Sequence, residues 1–337
     1  MTPEHVFFLL GVAVIVYALT GGADFGGGVW DLLASGPRRR AQRRAIAHAI
    51  APIWEVNHIW MIFAVVLLFT CFPHAFAAVS VALHIPLVLA LICIVLRGAA
   101  FVFRSYGLQP SQTRARWGQL FAWSSALTPV FLGMSLAALS SGQITLELEG
   151  QRVTSGFLAG WTSGFAVCVG LFALSLFTLL AAVYMAVETQ GELRDDFRRR
   201  ALINELVSGA LAGLVLWRAW AEAPLLFENL LGAPWSLPAQ ALTAVAAAVV
   251  IATLLIGKVE LARLAVMAQV GLVVLGWGLA MNGHLILPDM PLARAGAQPR
   301  VLASLPWVLI GGAILFVPAL TWLYRVFKLQ REPPEPH

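Results

Sequence analysis

The sequence predicts an all-α polytopic membrane protein with nine transmembrane helices. Three observations predict it. Charged residues make up 12 % of the chain and apolar residues 60 %. A soluble domain carries roughly 25 % charge, so this chain has too little to cover a water-facing surface. Nine runs reach the ~20 mostly apolar residues that cross a bilayer as a helix, and the basic residues gather in every second connecting loop.

The runs, in order, are Val6–Val29, Ile53–Phe72, Val79–Val102, Leu120–Leu139, Trp161–Val187, Leu202–Trp220, Ala239–Ile256, Leu264–Met281 and Leu302–Tyr324. The first follows "MTPEH", which lacks the basic region of a cleavable signal, and its apolar run is too long for one. It is read as a retained helix. The sixth is the least uniform, because it contains Glu205 and Arg218. All nine are too long and too evenly apolar for the alternation of a membrane barrel. They form one membrane domain over 1–337: helices 1–4 over about 6–139, helices 5–8 over about 161–281, helix 9 over about 302–324, and a disordered tail at 330–337. No loop is long enough to hold a soluble domain.

With nine helices the loops alternate between the two faces. One set carries Arg38–Arg40, Arg43 and Arg44, then Arg97, Arg104, Arg114 and Arg116, then Arg194 and Arg198–Arg200. It continues with Lys258, Arg263, Arg325, Lys328 and Arg331, leaving Arg152, Arg218, Arg294 and Arg300 for the other face. Lys and Arg collect on the cytoplasmic side. The amino terminus is therefore expected outside and the carboxyl terminus in the cytoplasm, and an even number of helices would spoil the asymmetry. The pI of 9.6 is thus read as a topology signal and not as a nucleic-acid surface. Cys71, Cys93 and Cys168 lie inside apolar runs without C-x-x-C spacing, which speaks against a disulfide framework or a zinc site.

Ionisable residues inside spanning helices are costly and are by default functional candidates. Few exist here: Asp24, Glu55, His58 and Glu205, the last expected at the start of helix 6. Asp24 lies ~27 Å along helix 1 from Val6, near its cytoplasmic end. Helix 2 starts on that side, so Glu55 shares this depth, and His58 is one turn deeper on nearly the same face. The three make a short ladder leading inward from the cytoplasm. A carboxylate and an imidazole one turn apart are suited to relaying protons. Two other readings stay open: structural polar packing, and contact with a substrate or quinone. Trp54, Asn57 and Trp60 flank these groups. The glycines of "GGADFGGGVW" (21–30) do not follow a strand and are read as close-packing positions between helices. His58 and His84 sit at opposite depths, so they cannot share one haem iron. Arg97 and Arg104 share a helix face as snorkelling anchors, or Arg97 pairs with Asp24, Glu55 or a head group.

Five segments, "YALTGGADFGGGVWDLL" (17–33), "APIWEVNHIWMIF" (51–63), "VLRGAAFVFR" (95–104), "VETQGELRDDFRRRAL" (187–202) and "GWGLAMNGHLILPDMPL" (276–292), run in this order over nearly the whole chain. Together they resemble subunit II of the cytochrome bd-type quinol oxidases, most specifically through W-E-x-N-H-x-W. The resemblance implies two four-helix bundles plus one peripheral helix. It implies a heterodimer in the bacterial inner membrane that oxidises quinol at the outer face and reduces O2 to water with cytoplasmic protons. The b and d haems would belong to subunit I, with none ligated by this chain. Glu55 maps to the helix-2 acid implicated in proton uptake and Asp24 to the helix-1 acid. The chain departs from many members at Gly21, where they carry a further Asp. A structural quinone and a small single-helix accessory subunit join some expectations for the family, alongside membrane lipids; nucleic acid does not. The rival readings are a polytopic secondary transporter and a purely structural partner subunit that relays nothing.

Overall fold

A computed structural model describes residues 1–50, 54–106, 111–147 and 152–329; for 50, 54–56, 105, 106, 111, 323, 324 and 326–329 it describes the backbone alone. The tail at 330–337 lies outside the described residues. In chain order the first helices are α1 (Pro3–Leu32), α2 (Arg39–Ile50), α3 (Trp54–Cys71), α4 (Pro73–Ala82), α5 (His84–Tyr106) and α6 (Ser111–Ser140). A small ladder of β1 (Leu146–Glu147) and β2 (Arg152–Val153) follows. Then come α7 (Gly164–Glu188), α8 (Gly191–Glu222), α9 (Pro224–Gly232), α10 (Ser236–Leu255) and α11 (Val259–Ala280). A second ladder, β3 (His284–Ile286) with β4 (Met290–Pro291), leads to α12 (Leu292–Ala295) and α13 (Pro299–Leu329).

Among the described residues eight helices are long and apolar enough to cross a membrane: α1, α5, α6, α7, α8, α10, α11 and α13. The α3–α4 pair, bent by 117° at its break, makes a ninth span when taken as one unit. The chain is a multi-pass helical membrane protein.

Three boundaries differ from the sequence expectation, each for a physical reason. The run Val79–Val102 is not one helix. The Pro86 ring would clash with the Ala82 carbonyl of a continuous helix and offers no N–H. The chain therefore breaks at Leu83 and restarts with Pro86 in the first turn of α5. This puts His84 at the exposed start of α5 and not a turn inside a span. The sixth span begins well before Leu202, because the charged residues of "GELRDDFRRRA" are adequate helix formers and a helix does not stop where the lipid does. Glu205 therefore lies in the middle of α8, not at its start. Finally, the arginine-rich segment after Gly36 folds as α2, a helix too polar for a hydropathy scan to register.

α1 packs on α3, α6, α7 and α11, α5 packs on α6, and α7 packs on α6, α8 and α11, with α10 against α11. The helices α1, α3, α5 and α6 thus meet α7, α8, α10 and α11 along a seam formed chiefly by α1 and α6 with α7. α7 is the most enclosed span, with 67 % of its apolar window buried, against 11 % for α13, which touches mainly α3. The seam depends on glycine. A Cβ at Gly26 would run into the Phe177 carbonyl of α7; on the other side of α1, one at Gly28 would run into the Ser125 side chain of α6. Trp30 Nε1 donates across the same seam to the Thr178 carbonyl at 2.8 Å. The buried apolar residues form two clusters stacked along the helix axes, one around Phe72, Met134 and Phe165, the other around Phe25, Phe121, Leu179 and Phe197. The second cluster surrounds the candidate site.

Candidate functional site

Asp24 and Arg97 meet inside the bundle. Arg97 Nη2 lies 2.8 Å from Asp24 Oδ1, and the two side chains are 2 % and 4 % exposed. The guanidinium uses its other donors locally. Nη2 also donates to the Asp24 carbonyl at 3.3 Å, and Nε donates to Ser125 Oγ at 3.1 Å. The Ser125 hydroxyl in turn donates to the Phe121 carbonyl. The guanidinium carbon sits 4.8 Å from the centre of the Phe25 ring and 5.2 Å from that of Phe121, within cation–π range. Arg97 is therefore no snorkelling anchor. Of the partners open to it from the sequence, it meets Asp24; the Glu55 side chain lies outside the described ones.

Two helical turns nearer the bundle end the arrangement repeats. Arg104 Nη1 and Nη2 hold Asp31 Oδ2 and Oδ1 at 2.8 and 3.0 Å, the fork geometry that suits a carboxylate. Arg43 of α2 donates to the Asp31 carbonyl at 3.1 Å and approaches its carboxylate at 3.8 Å. The spacing explains the repeat. Asp24 and Asp31 are seven residues apart on α1, and Arg97 and Arg104 are seven apart on α5, so each pair lies on one helix face. α1 and α5 are not packed side by side, so both ion pairs reach across the interior of the group. Asp31 was not among the sequence candidates. Its matching seven-residue offset from Asp24 was the signal that could have found it.

His58 belongs to the same cluster through its ring contacts. Its centroid is 6.1 Å from Tyr17, edge-on, and 6.0 Å from Phe25, the ring that also carries Arg97. Tyr17, also absent from the candidates, fills the space beside Gly21: a Cβ there would meet the Tyr17 ring at 3.0 Å. Its buried hydroxyl has no hydrogen-bond partner among the described residues. Asn57 is buried. Trp60 packs edge-on against Phe63 and against Phe316 of α13, 6.3 Å away, so it joins the peripheral helix to α3. Glu55 and Trp54 open α3, and their side chains lie outside the described ones.

A polar clasp lies at the bundle end beyond the site. Arg38 holds Asp196 through Nε and Nη2 at 2.8 and 2.6 Å and Glu192 at 2.7 Å. Gln42 donates to Asp196 and accepts from Arg200. The Asp196 hydrogen bonds push the Arg38 pKa up from its usual value. The clasp ties α2 to α8, so part of the arginine run is structural as well as topological. Among the described residues, His58 and His84 are not placed to share a haem iron. His58 and His84 are separated by most of α3, about 20 Å of helix rise, with His84 exposed at the start of α5.

The chain is similar to known proteins along nearly its whole length. The family model of cytochrome bd terminal oxidase subunit II matches residues 2–327. Cytochrome bd-I ubiquinol oxidase subunit 2 of Escherichia coli K12 is 26 % identical over 216 residues, which cover 62 % of this chain and 55 % of that one, about half its length. The putative cytochrome bd menaquinol oxidase subunit II of Bacillus subtilis 168 is 26 % identical over 327 residues, covering 93 % of this chain and 92 % of that one. A solved chain from the bd oxidase of Geobacillus thermodenitrificans superposes with a TM-score of 0.79 at 19 % identity, over 98 % of this chain and 100 % of that chain; at that identity it shows the shared fold. With bacterial relatives and many spanning helices, this is a multi-pass protein of the bacterial inner membrane. The transporter reading gives way to the match across the whole chain: the protein belongs to the cytochrome bd terminal oxidase subunit II family.

Proposed function

We propose that this chain is the non-haem-ligating half of a heterodimeric quinol:O2 oxidoreductase. In this reading it stabilises a haem-bearing subunit I and supplies a proton route from the cytoplasm for O2 reduction to water. The haems of the partner would supply the electron-transfer chemistry. The relatives' names support the quinol class, with ubiquinol in one and menaquinol in the other. The observation that carries the proton route is the buried Asp24–Arg97 pair. Arg97 occupies Oδ1 of Asp24, while Oδ2 is buried with no hydrogen-bond partner among the described residues, leaving an acceptor for a proton donor or a water.

The route reads inward from the arginine-rich end, which the positive-inside rule assigns to the cytoplasm. Arg43 is half-buried at the mouth, Asp31 and Arg104 form the outer rung, and Asp24 and Arg97 the inner one. Glu55 and His58, one helical turn apart on α3, carry the proton onward, each able to take and release it. Asn57, Trp54 and Trp60 support that turn. A tagged copy drawn from its own membranes is expected to bring down b and d haem bands in a reduced-minus-oxidised spectrum, while the chain expressed alone gives none. Haem in the isolated chain would overturn the non-ligating assignment.

Glu55→Gln is expected to lower O2-dependent turnover ~10-fold or more with the haem content of the complex intact. Unchanged turnover together with unchanged proton uptake would remove the relay. One observation favours the rival in which the subunit is a structural partner: both ion pairs also clamp α1 to α5. That rival predicts normal kinetics for every variant that assembles.

A further inference from the structure

A second ionisable group lies inside the membrane, in the other helix group, and the proposed route does not use it. Glu205 of α8 is 4 % exposed and faces Gln269 of α11, 6 % exposed. Gln269 Nε2 donates to Glu205 Oε1 at 2.7 Å. The remaining atoms of the same two groups, Glu205 Oε2 and Gln269 Oε1, are buried without a hydrogen-bond partner.

As an anion Glu205 offers only acceptors. Both leftover oxygens would then stay unsatisfied, and a buried charge would face no counter-charge. The charged and titratable groups of the packed elements are paired elsewhere, exposed or at helix ends; on α1, Asp24 and Asp31 hold Arg97 and Arg104. On α8, Arg198 pairs with Asp195, Arg200 with Gln42 and Arg218 with Glu222, while Arg199 is exposed. On α11, Glu260 pairs with Arg263. On α7, the Tyr184 hydroxyl donates to the Leu19 carbonyl and Glu188 lies at the helix end. α10 carries no charge. No ion pair reaches Glu205 among the described residues.

One proton resolves the mismatch. On Oε2 it becomes the donor that Gln269 Oε1 lacks, and the two side chains close a ring of two hydrogen bonds, acid to amide. Burying such a satisfied neutral pair costs far less than burying an unpaired carboxylate. The surroundings suit it. Asn204 donates to the Ser175 carbonyl and Thr178 Oγ1 at 2.7 and 3.0 Å, and Ser208 donates to Ser175 Oγ at 3.1 Å. These bonds fasten α8 to α7 beside the acid and leave Gln269 as its partner. We propose that Glu205 is a proton-binding site of the second helix group, held at neutral pH as a carboxylic acid paired with Gln269.

The test is infrared difference spectroscopy on the purified complex at neutral pH, wild type against Glu205→Gln. The expected result is loss of one protonated-carboxylic-acid carbonyl band, with the carboxylate bands unchanged. Loss of carboxylate intensity with an unchanged acid band would overturn the proposal. Thermal stability gives an independent readout. Gln mimics the neutral acid in shape and in both hydrogen bonds, so Glu205→Gln should keep the wild-type Tm, whereas Glu205→Ala should lower it. A Tm raised by Glu205→Gln would mean that a buried charge had been relieved, and would also overturn it. Should Glu205→Gln fail to assemble, Gln269→Leu serves: the acid band should move to the higher frequency of an unbonded carbonyl, and a band that stays put contradicts the pairing.

Discussion

Asp24→Ala is expected to destabilise the purified complex by about 3–5 kcal/mol, because it strands the Arg97 charge in the bundle without its partner. Arg97 is almost wholly buried and, among the described residues, its remaining contacts are a serine hydroxyl, a backbone carbonyl and two ring faces. None of these replaces a counter-charge. The double change Asp24→Leu with Arg97→Met removes both charges and fills the space with apolar side chains, so it should recover most of the lost stability. It also separates the two roles of the pair. If Asp24 and Arg97 only clamp α1 to α5, the double variant should regain turnover along with Tm. If they belong to the proton route, Tm should recover while turnover stays low. Full recovery of both would assign the inner rung to structure alone.

Gly26→Ala should be the most damaging conservative change on α1. The added methyl would run into the Phe177 carbonyl, and backbone cannot step aside as a flexible side chain can. α1 must then lift from α7, at a cost of roughly 1–3 kcal/mol for the overpacking, and the Trp30–Thr178 bond across the seam is strained with it. Gly11→Ala on the same helix meets nothing within 4 Å and should be neutral or slightly stabilising, since Ala is the better helix former. Equal Tm values for the two variants in the purified complex would show that the α1–α7 seam does not depend on Gly26.

The site was legible from the sequence in part. Asp24 and His58 stood out because charge is scarce in an apolar helix. Arg97 stood out too, but its long stem allows either snorkelling or pairing, and only the position of α1 decides between them. Asp31 was hidden by its place at the end of helix 1, where a carboxylate at headgroup depth needs no explanation; its meaning lies in Arg104, on another helix. Tyr17 gave no signal, since a tyrosine in an apolar run resembles any other core aromatic. Glu205 stands out in the sequence but its depth does not, because hydropathy starts a helix where the lipid begins, whereas α8 runs on through its charged first turns.

By itself the sequence determined the class, most of the spans and the crowding of basic residues at one end. The physical reason is that a bilayer imposes one dimension: an apolar run must match its thickness, and that is a local property of the chain. Which side chains meet was decided by the tertiary structure. Asp24 with Arg97, Asp31 with Arg104, and Glu205 with Gln269 each join residues on separate helices. Their meeting depends on how far each helix extends, how it is rotated, and how closely α1 approaches α7 over Gly26, none of which is encoded within a single helix.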